Sequence, residues 1–406
     1  MHSFFKLPFY PLLPDDPNLS LQRGRIHEFF KYTKPHRKLL EQIELVIIDE
    51  ISMVRADIID AIDRILRVYS HNLREPFGGK QLLLVGDVFQ LEPVVKNDER
   101  EILNRFYPTP YFFSARVFGQ IDLVSIELQK VYRQTDPVFV GVLDHIRTNT
   151  AGAADLQLLN TRYGSQIEES EADMYITLAT RRDTVDSINE KKVAELPGES
   201  ITFEGVIEGD FPESSLPTSQ ELVLKPGAQI IFIKNDFDRR WVNGTIGVIA
   251  GIDEEEETIY VITDDGKECD VKRDSWRNIR YRYNEKTKEI EEEVLGSFTQ
   301  YPIRLAWAIT VHKSQGLTFS RVVIDFTGGV FAGGQAYVAL SRCTSLDGIQ
   351  LKKPINRADI FVRPEIVNFA GRFNNRQAID KALKQAQADV QYAAAARAFN
   401  KGDMEE

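Results

Sequence analysis

The sequence predicts an α/β protein with helices packed on parallel sheets and a region of short β-strands inserted late in the chain. Apolar runs typical of buried parallel strands end abruptly in polar residues, as 45–48 does at Asp49 and Glu50. Apolar residues at helical spacing follow, and a second apolar run, 81–85, again closes in polar residues. Between about 195 and 299 the pattern changes to short strand-like runs separated by Asn-Gly and Asp-Gly turn signals.

Length and composition indicate a protein of two or three domains without a membrane span. The chain has 406 residues, of which 43% are hydrophobic and 27% charged, which is ordinary for globular proteins with buried cores. No apolar run approaches the ~18 residues of a membrane helix, and no signal-peptide pattern is present. We therefore expect a cytoplasmic, nucleoid-associated protein. Cys269 and Cys343 predict neither a disulfide framework nor a zinc site.

The charge is unevenly distributed. The formal net charge of −11 argues against a protein that binds DNA through bulk electrostatics alone. Residues 1–40 nevertheless carry seven Lys or Arg against three acids, a local balance of +4. Aromatic residues interleaved with them could combine base stacking with phosphate contacts, with Phe9 or Tyr10 as a wedge against a duplex. Core packing is the alternative interpretation for most of these aromatics.

The two acids after the first run are candidates for phosphate chemistry. In open α/β sheets ligands bind beyond the carboxyl ends of the strands. There Asp49 could hold Mg²⁺ while Glu50 polarises the water that attacks a γ-phosphate. Gln90, after the second run, would reach the same crevice and could orient that water. For the acidic pair alone, a solvated strand end is the alternative interpretation.

Further elements are predicted downstream. They are a helix over Arg25 to Leu40 broken at Pro35, a third strand at 121–128, a helix capped by Asp136, a strand at 174–182, strands at 305–309 and 322–325, and a helical tail from Arg376 to Phe399. Thr180 and Arg181 close the 174–182 run, where they could hold the phosphates of a single strand. The 305–309 run is followed by a polar string, 310–316.

These strings resemble the motifs of superfamily-one DNA helicases. DEIS with GDVFQLEPV resembles motifs II and III, Tyr-Arg-Gln around Arg133 resembles motif IV, the string from Thr310 to Gly316 resembles motif V, and QAYVALSR with Arg342 resembles motif VI. HSFFKLPF at 2–9, the inserted β region and AYVALSR resemble the Pif family, which are RecD-like members of that superfamily. Five matches lie in family order over residues 2–351.

The resemblance implies two RecA-like domains, the first N-terminally incomplete, and an SH3-like β insertion. The implied bounds are 1–130 for the first domain with a small DNA-contacting insertion at about 9–40, 131–194 with 300–365 for the second, 195–299 for the β insertion, and 366–406 for a helical tail. The family also implies 5′ to 3′ movement on single-stranded DNA, DNA junctions as a further partner, a role in genome maintenance, and a monomer.

Residue roles follow from the same resemblance. ATP and Mg²⁺ are the implied cofactors, with Asp49 as metal ligand. The implied catalytic residues are Asp49, Glu50, Gln90, Arg133 and Arg342, the two arginines reaching the γ-phosphate from the second domain, and Gln315 and Gly316 lie toward the nucleotide. The implied DNA contacts are His2, Phe4, Thr180, Arg181, Thr310, His312 and Lys313. Each arginine taken alone could instead be a surface charge or a helix-end cation.

Two features depart from the family pattern. Glu92 replaces the family's usual proline, and the sequence contains no G-x-x-x-x-G-K-[ST] phosphate-binding loop. The loop's absence removes a set of backbone donors, a lysine and a hydroxyl, and the strand before it would otherwise cover the apolar edge of 45–48. Two hypotheses follow: a helicase whose sequence is truncated, with an in-frame loop encoded upstream of Met1, or a non-hydrolysing DNA-binding or regulatory relative. Retention of the five catalytic residues favours the first.

Overall fold

A computed structural model of the chain describes residues 2–8, 10–19, 25–165, 174–284 and 289–401. Within these ranges the helices are α1 (His2–Phe5), α2 (Arg25–Phe30), α3 (Lys34–Gln42), α4 (Ala56–Tyr69), α5 (Asn97–Leu103), α6 (Pro137–Arg147), α7 (Ala153–Asn160), α8 (Arg182–Glu195), α9 (Gln335–Ser341), α10 (Pro364–Ala370) and α11 (Arg376–Lys401). No helix in the described part of the chain is both long and apolar enough to cross a membrane.

The strands of the same ranges fall into several sheets. They are β1 (Leu45–Ile48), β2 (Gln81–Leu84), β3 (Ile176–Ala179), β4 (Ile201–Glu204), β5 (Val206–Gly209), β6 (Glu221–Leu224), β7 (Gln229–Phe232), β8 (Ile246–Asp253), β9 (Thr258–Thr263), β10 (Glu268–Val271), β11 (Asp274–Asn284), β12 (Glu289–Gln300), β13 (Ile303–Leu305), β14 (Ala308–Thr310), β15 (Val322–Asp325) and β16 (Ile349–Leu351).

The first domain is organised around β1, β2 and α4. The two strands pair in parallel, with Leu45 opposite Gln81 and Ile48 opposite Leu84, and α4 buries the predicted apolar face. The opposite face of this sheet is open, since Ile47 is 59% exposed and Leu83 47% exposed. The prediction of a fully buried strand is therefore wrong on that face, because none of the described elements covers it. The expected unpaired edge is present among the described residues.

The predicted third strand at 121–128 is wrong. This segment makes no ladder with another strand among the described residues, and Ile126 and Leu128 are exposed. Its backbone instead meets the C-terminal segment: the Ser125 carbonyl accepts from Asn374 N–H at 3.0 Å, and the Glu127 N–H donates to Asn374 Oδ1 at 3.0 Å. A strand-like sequence forms a strand only where a neighbouring strand supplies hydrogen-bond partners.

The second domain contains a parallel sheet in the order β14-β3-β15-β16, in which β3 and β15 are buried along their whole length. β15 has the predicted bounds, whereas β3 is shorter than the strand predicted at 174–182, because α8 already begins at Arg182. The single strand predicted at 305–309 is wrong, because the chain breaks at Ala306 and Trp307. Before the break β13 pairs antiparallel with β7, and after it β14 pairs parallel with β3. The two ladders run in different sheets, so no continuous strand serves both.

The region from 201 to 305 is rich in antiparallel strands, as its turn signals predict. One sheet has the order β10-β9-β8-β7-β13, and β11-β12-β5 and β4-β6 form two smaller sheets. A separate apolar core includes Phe232, Trp241 and Tyr301. The predicted turn at Asp265-Gly266 joins β9 to β10, where Gly266 has a φ of +79°, a value that favours glycine.

Both ends of the chain pack on the first domain. The helix predicted from Arg25 to Leu40 breaks at 31–33, and Pro35 lies in the first turn of α3 rather than at the break. In a first turn the missing N–H of proline removes no helical hydrogen bond. Phe5, Phe30 and Tyr32 are buried, which favours the core interpretation of these aromatics. The chain returns from the second core at Ile360 to the first core at Ile366, and the predicted tail helix is α11.

Candidate nucleotide and DNA site

The predicted acids lie where β1 ends. Glu50 adopts a left-handed conformation, with a φ of 51°, and such strained positions are concentrated at functional sites. Asp49 Oδ1 accepts the Glu50 N–H at 2.8 Å, and the next residue, Ile51, donates its N–H to Val85 O at 3.0 Å. The turn therefore holds both carboxylates beyond the paired ends of the two strands.

Glu50 has the electrostatic character of a base. Burial raises the pKa of Glu50, and the neighbouring charges of Asp49 and Asp87 raise it further, while Arg342 opposes them. A carboxylate with a raised pKa accepts a proton more readily near neutral pH. No three metal-ligating side chains converge within the described ranges. Mg²⁺ commonly takes only one or two carboxylates together with phosphate oxygens, so Asp49 fits as a single protein ligand.

Arg342 faces this acidic cluster from the second domain. The residue follows α9, is 2% exposed, and donates to Val338 O at 3.0 Å and Ser341 Oγ at 3.1 Å. Burial and then the charge of Arg133 lower the pKa of Arg342 to about 10, while Glu50 opposes this shift. An arginine keeps its proton at neutral pH. The buried charge is therefore under-compensated, which favours an anion beside it.

Arg133 is held against the same helix end. Its Nη1 donates to Ser341 O at 3.2 Å, and the adjacent Gln134 donates from Nε2 to Ser341 O at 2.9 Å and Cys343 O at 2.8 Å. Burial lowers the pKa of Arg133, which again marks a guanidinium lacking a full counter-charge. Two cations thus lie at the C-terminal end of α9.

Sequence reasoning missed the contact that Asp87 makes with Arg147. The last residue of α6, Arg147, donates to Asp87 Oδ2 from Nε at 3.1 Å and to Oδ1 from Nη2 at 3.2 Å. It also reaches Glu127 at 2.8 Å and lies 4.5 Å from the centre of the Phe89 ring. No local signal distinguishes Arg147 from any helix-end cation. The half-buried Gln90 follows in the same loop and donates its N–H to Asp87 O at 3.0 Å.

The predicted polar string after β14 contacts Arg342. The Ser314 and Leu317 carbonyls accept from Arg342 Nη1 at 3.5 and 3.4 Å. Between them Gln315 has a buried Nε2 without a hydrogen-bond partner, and Gly316 has a φ of +76°. The same string begins with Thr310, whose Oγ1 accepts the Lys313 N–H at 3.3 Å. One short segment therefore joins the arginine to the predicted DNA contacts.

The predicted DNA contacts of the second domain lie at the ends of adjacent strands. Thr180 is 4% exposed with an unpartnered Oγ1, and Arg181 is exposed while its Nε donates to Gly328 O at 2.9 Å. Lys313 is exposed, and burial of part of its side chain, followed by the charges of Arg304 and Arg182, lowers its pKa. Burial also lowers the pKa of His312.

The predicted contacts near the N-terminus are less accessible. Phe4 packs edge-on against Phe5, with ring centres 5.0 Å apart, and lies 5.6 Å from the His36 ring. It is half-buried against the first core, a position that serves packing. The side chain of His2 and the whole of Phe9 fall outside the described residues.

Comparison with known proteins gives consistent matches. The family model for PIF1-like helicases matches residues 1–141. The ATP-dependent DNA helicase Pif1 of Campylobacter jejuni is 33% identical over 365 residues, covering 86% of this chain and 78% of the relative. Human ATP-dependent DNA helicase PIF1 is 34% identical over 312 residues, covering 75% of this chain but only 45% of the relative.

Solved structures agree with the sequence matches. Bacteroides Pif1 in complex with ADP-AlF4 is 40% identical and superposes with a TM-score of 0.80, covering 91% of this chain and 81% of that one. Bacteroides Pif1 bound to single-stranded DNA gives a TM-score of 0.64 at the same identity. The fold of this chain, with its RecA-like α/β character, therefore matches a solved Pif1 structure over nine-tenths of the chain.

Proposed function

Because the chain belongs to the PIF1-like helicase family, we propose that it supplies the two-lobed motor of an ATP-dependent DNA helicase. The observation that carries this proposal is that the buried guanidinium of Arg342, at the end of α9 in the second domain, lies close enough to Glu50 of the first domain for each charge to act on the other. Acids on one lobe and guanidinium groups on the other are the arrangement that a triphosphate requires. The human relative is more than twice as long as the matched region, so further functions of a whole protein lie outside this proposal.

Each residue has a defined task in this mechanism. Asp49 is the protein ligand of Mg²⁺, which would neutralise phosphate charge when bound. Glu50 polarises the attacking water, and Gln90 orients it. Arg133 and Arg342 stabilise the charge that develops on the γ-phosphate, a contribution of roughly 10³ or more in rate for arginine fingers. Gln315 and Gly316 lie toward the nucleotide.

The contacts of Arg342 suggest how hydrolysis moves DNA. Its guanidinium bonds the Ser314 and Leu317 carbonyls, and the same segment carries Thr310, His312 and Lys313. A shift of the guanidinium toward phosphate changes these bonds and so alters the grip on the strand. Closing and opening of the two lobes then produce stepping. The proposed direction is 5′ to 3′, which rests on family resemblance.

The remaining proposals concern organisation. We assign the β region predicted at 195–299, which β13 extends to Leu305 by pairing with β7, as an SH3-like insertion beside the DNA path, and we otherwise propose the domain bounds that the resemblance implies. Single-stranded DNA and DNA junctions are the proposed partners of a monomer, and a nucleoid location follows from that role. The structure of the Bacteroides relative bound to single-stranded DNA supports the DNA partner.

A second candidate is a non-hydrolysing DNA-binding relative. This candidate needs no G-x-x-x-x-G-K-[ST] string, which the 406 residues do not contain. Both candidates bind single-stranded DNA, and only the helicase needs the acids and arginines to act on a nucleotide. ATP hydrolysis by a chain to which a phosphate-binding loop has been joined, measured in the presence of single-stranded DNA, separates the two.

Lys313→Ala is expected to weaken binding of a fluorescent oligo-dT to the full chain by about tenfold at low salt, since a phosphate contact near the strand end is lost. Fluorescence anisotropy over a salt series measures both the affinity and its salt dependence, whose slope should fall by about one. Lys384→Ala, which removes an exposed lysine on α11, is the matched control. Equal affinities for the two variants would contradict the placement of DNA at β3 and β14.

A further inference from the structure

The loop 87–92, which carries Gln90, contacts the second domain at several points, while Val88 and Phe89 remain in the first apolar core. Asp87 pairs with Arg147, and Leu91 is 0% exposed within the second apolar core. At Gly334, before α9, an added Cβ would lie 2.3 Å from Phe89 O. Only glycine fits there, because its φ is also positive at +76°. The loop and the start of α9 are therefore in direct backbone contact.

Glu92 ends this loop with a carboxylate that joins three separate segments. Its Oε2 accepts from Tyr111 Oη at 2.7 Å, and its Oε1 accepts the Gly333 N–H at 3.4 Å. Arg363 Nε lies 3.5 Å from Oε2, and the Glu92 side chain is only 15% exposed in this pair. Tyr111 belongs to the first domain, whereas Gly333 precedes α9 of the second.

Arg363 marks the place where the chain crosses back between the domains. Ile360 is buried in the second core and Ile366 in the first, so the crossing lies between them. Glu92 thus bonds the return crossing, the first domain and the start of α9 at one point. The proline that the family resemblance implies at this position would have no side-chain acceptor for these donors.

The geometry points to Glu92 as a positioning residue whose carboxylate links the two lobes at their hinge, the crossing segment between Ile360 and Ile366. This inference rests on the proposed function and deepens it, because the Glu92 carboxylate connects the loop of Gln90 to α9, the helix that ends beside Arg342. Glu92 is assigned no direct contact with the nucleotide or with the DNA strand. Its carboxylate acts by holding Gly333 and Arg363 while the first domain holds Tyr111. Movement of the lobes then displaces Gln90 and α9 together.

Hydrogen–deuterium exchange on the full chain tests this directly, since the Gly333 N–H is one of the bonded groups. Glu92→Ala is expected to speed exchange in 331–336 by about tenfold, with Glu92→Gln intermediate because its amide still offers an acceptor oxygen. Exchange in 56–69, inside the first core, stays unchanged. Arg363→Gln adds little to Glu92→Ala because Arg363 acts through the same carboxylate. Glu101→Gln, an exposed acid on α5, is the matched control.

A distance measurement gives a second readout. Cys269 and Cys343 are buried, so labels placed by Arg74→Cys and Ser187→Cys, two exposed positions on different lobes, report the hinge. Glu92→Ala should broaden the distribution of distances. Unchanged exchange at 331–336, or equal acceleration at 56–69, would overturn the proposal. Neither readout needs nucleotide or DNA. Failure of the chain to bind DNA would therefore refute the proposed function without affecting the inferred role of Glu92.

Discussion

The 406-residue chain alone is expected to hydrolyse ATP at background even with single-stranded DNA, and a fusion that supplies a phosphate-binding loop is expected to restore turnover. Loss of one preorganised donor at a developing charge costs roughly 3 kcal/mol in barrier height, and the loop supplies several such donors together with a lysine. Joining a strand, a G-x-x-x-x-G-K-[ST] loop and a helix to residue 1 should raise the rate by about 10³ or more.

The fusion also tests the acids and arginines. Glu50→Gln or Arg342→Ala in the fusion should return the rate to near background, since each removes charge from the proposed γ-phosphate site, while Glu101→Gln leaves it unchanged. Phosphate release measured over a range of ATP concentrations gives kcat and KM separately. A folded, DNA-binding fusion without ATPase activity would favour the non-hydrolysing candidate. Robust turnover by the unfused chain would show that its phosphate site uses groups outside the loop signature.

Local pattern predicted those parts of the fold that depend on local chemistry. The apolar face of α4 follows the helical period and is buried as expected. Asp136 caps α6 by accepting from Val138 N–H at 2.9 Å, because cap and first-turn proline are encoded within a few residues. The polar ends of β1 and β3 were likewise predictable, since a parallel strand ends where its apolar run ends.

Features that depend on a distant partner could not be predicted in the same way. The segment 121–128 has the composition of a strand but no neighbour to pair with among the described residues. Arg147 forms its ion pair with Asp87, which lies sixty positions away in the sequence, and the sequence around Arg147 does not predict that contact. For the candidate site, residue types and strand ends were predictable. The nearness of Arg342 to Glu50 and the proposed hinge role of Glu92 could be recognised only from the fold.

Buried acids on α4 show the same limit. Asp57, Asp60 and Asp63 recur every three residues, a pattern typical of a solvated helix face, yet each is less than 8% exposed. They accept backbone N–H groups of Leu12, Val117 and Phe77 respectively. Loops from far along the chain therefore dock on this helix through its carboxylates. The period places the acids on one face, but only the fold shows what covers that face.

Asp60→Ala is expected to destabilise the first domain by about 3 kcal/mol, because buried donors lose their acceptor. Asp60 accepts from Tyr107 Oη at 2.9 Å, Val117 N–H at 3.0 Å and Arg116 N–H at 3.1 Å. All three tryptophans lie outside this domain, at 241, 276 and 307, so tryptophan fluorescence is a poor probe of it. Hydrogen–deuterium exchange of α4 in increasing urea measures the free energy of unfolding instead.

Matched variants separate the contributions to this expected loss. Tyr107→Phe removes one donor and leaves the two backbone bonds, so about 1 kcal/mol should be lost. Asp380→Ala, at an exposed position of α11, should change stability by less than about 0.5 kcal/mol. If Asp60→Ala behaved like Asp380→Ala, the carboxylate would not be fastening 116–117 to α4. A large loss confined to Asp60→Ala would show that buried acids, as well as the apolar face, fix the first lobe beneath the nucleotide site.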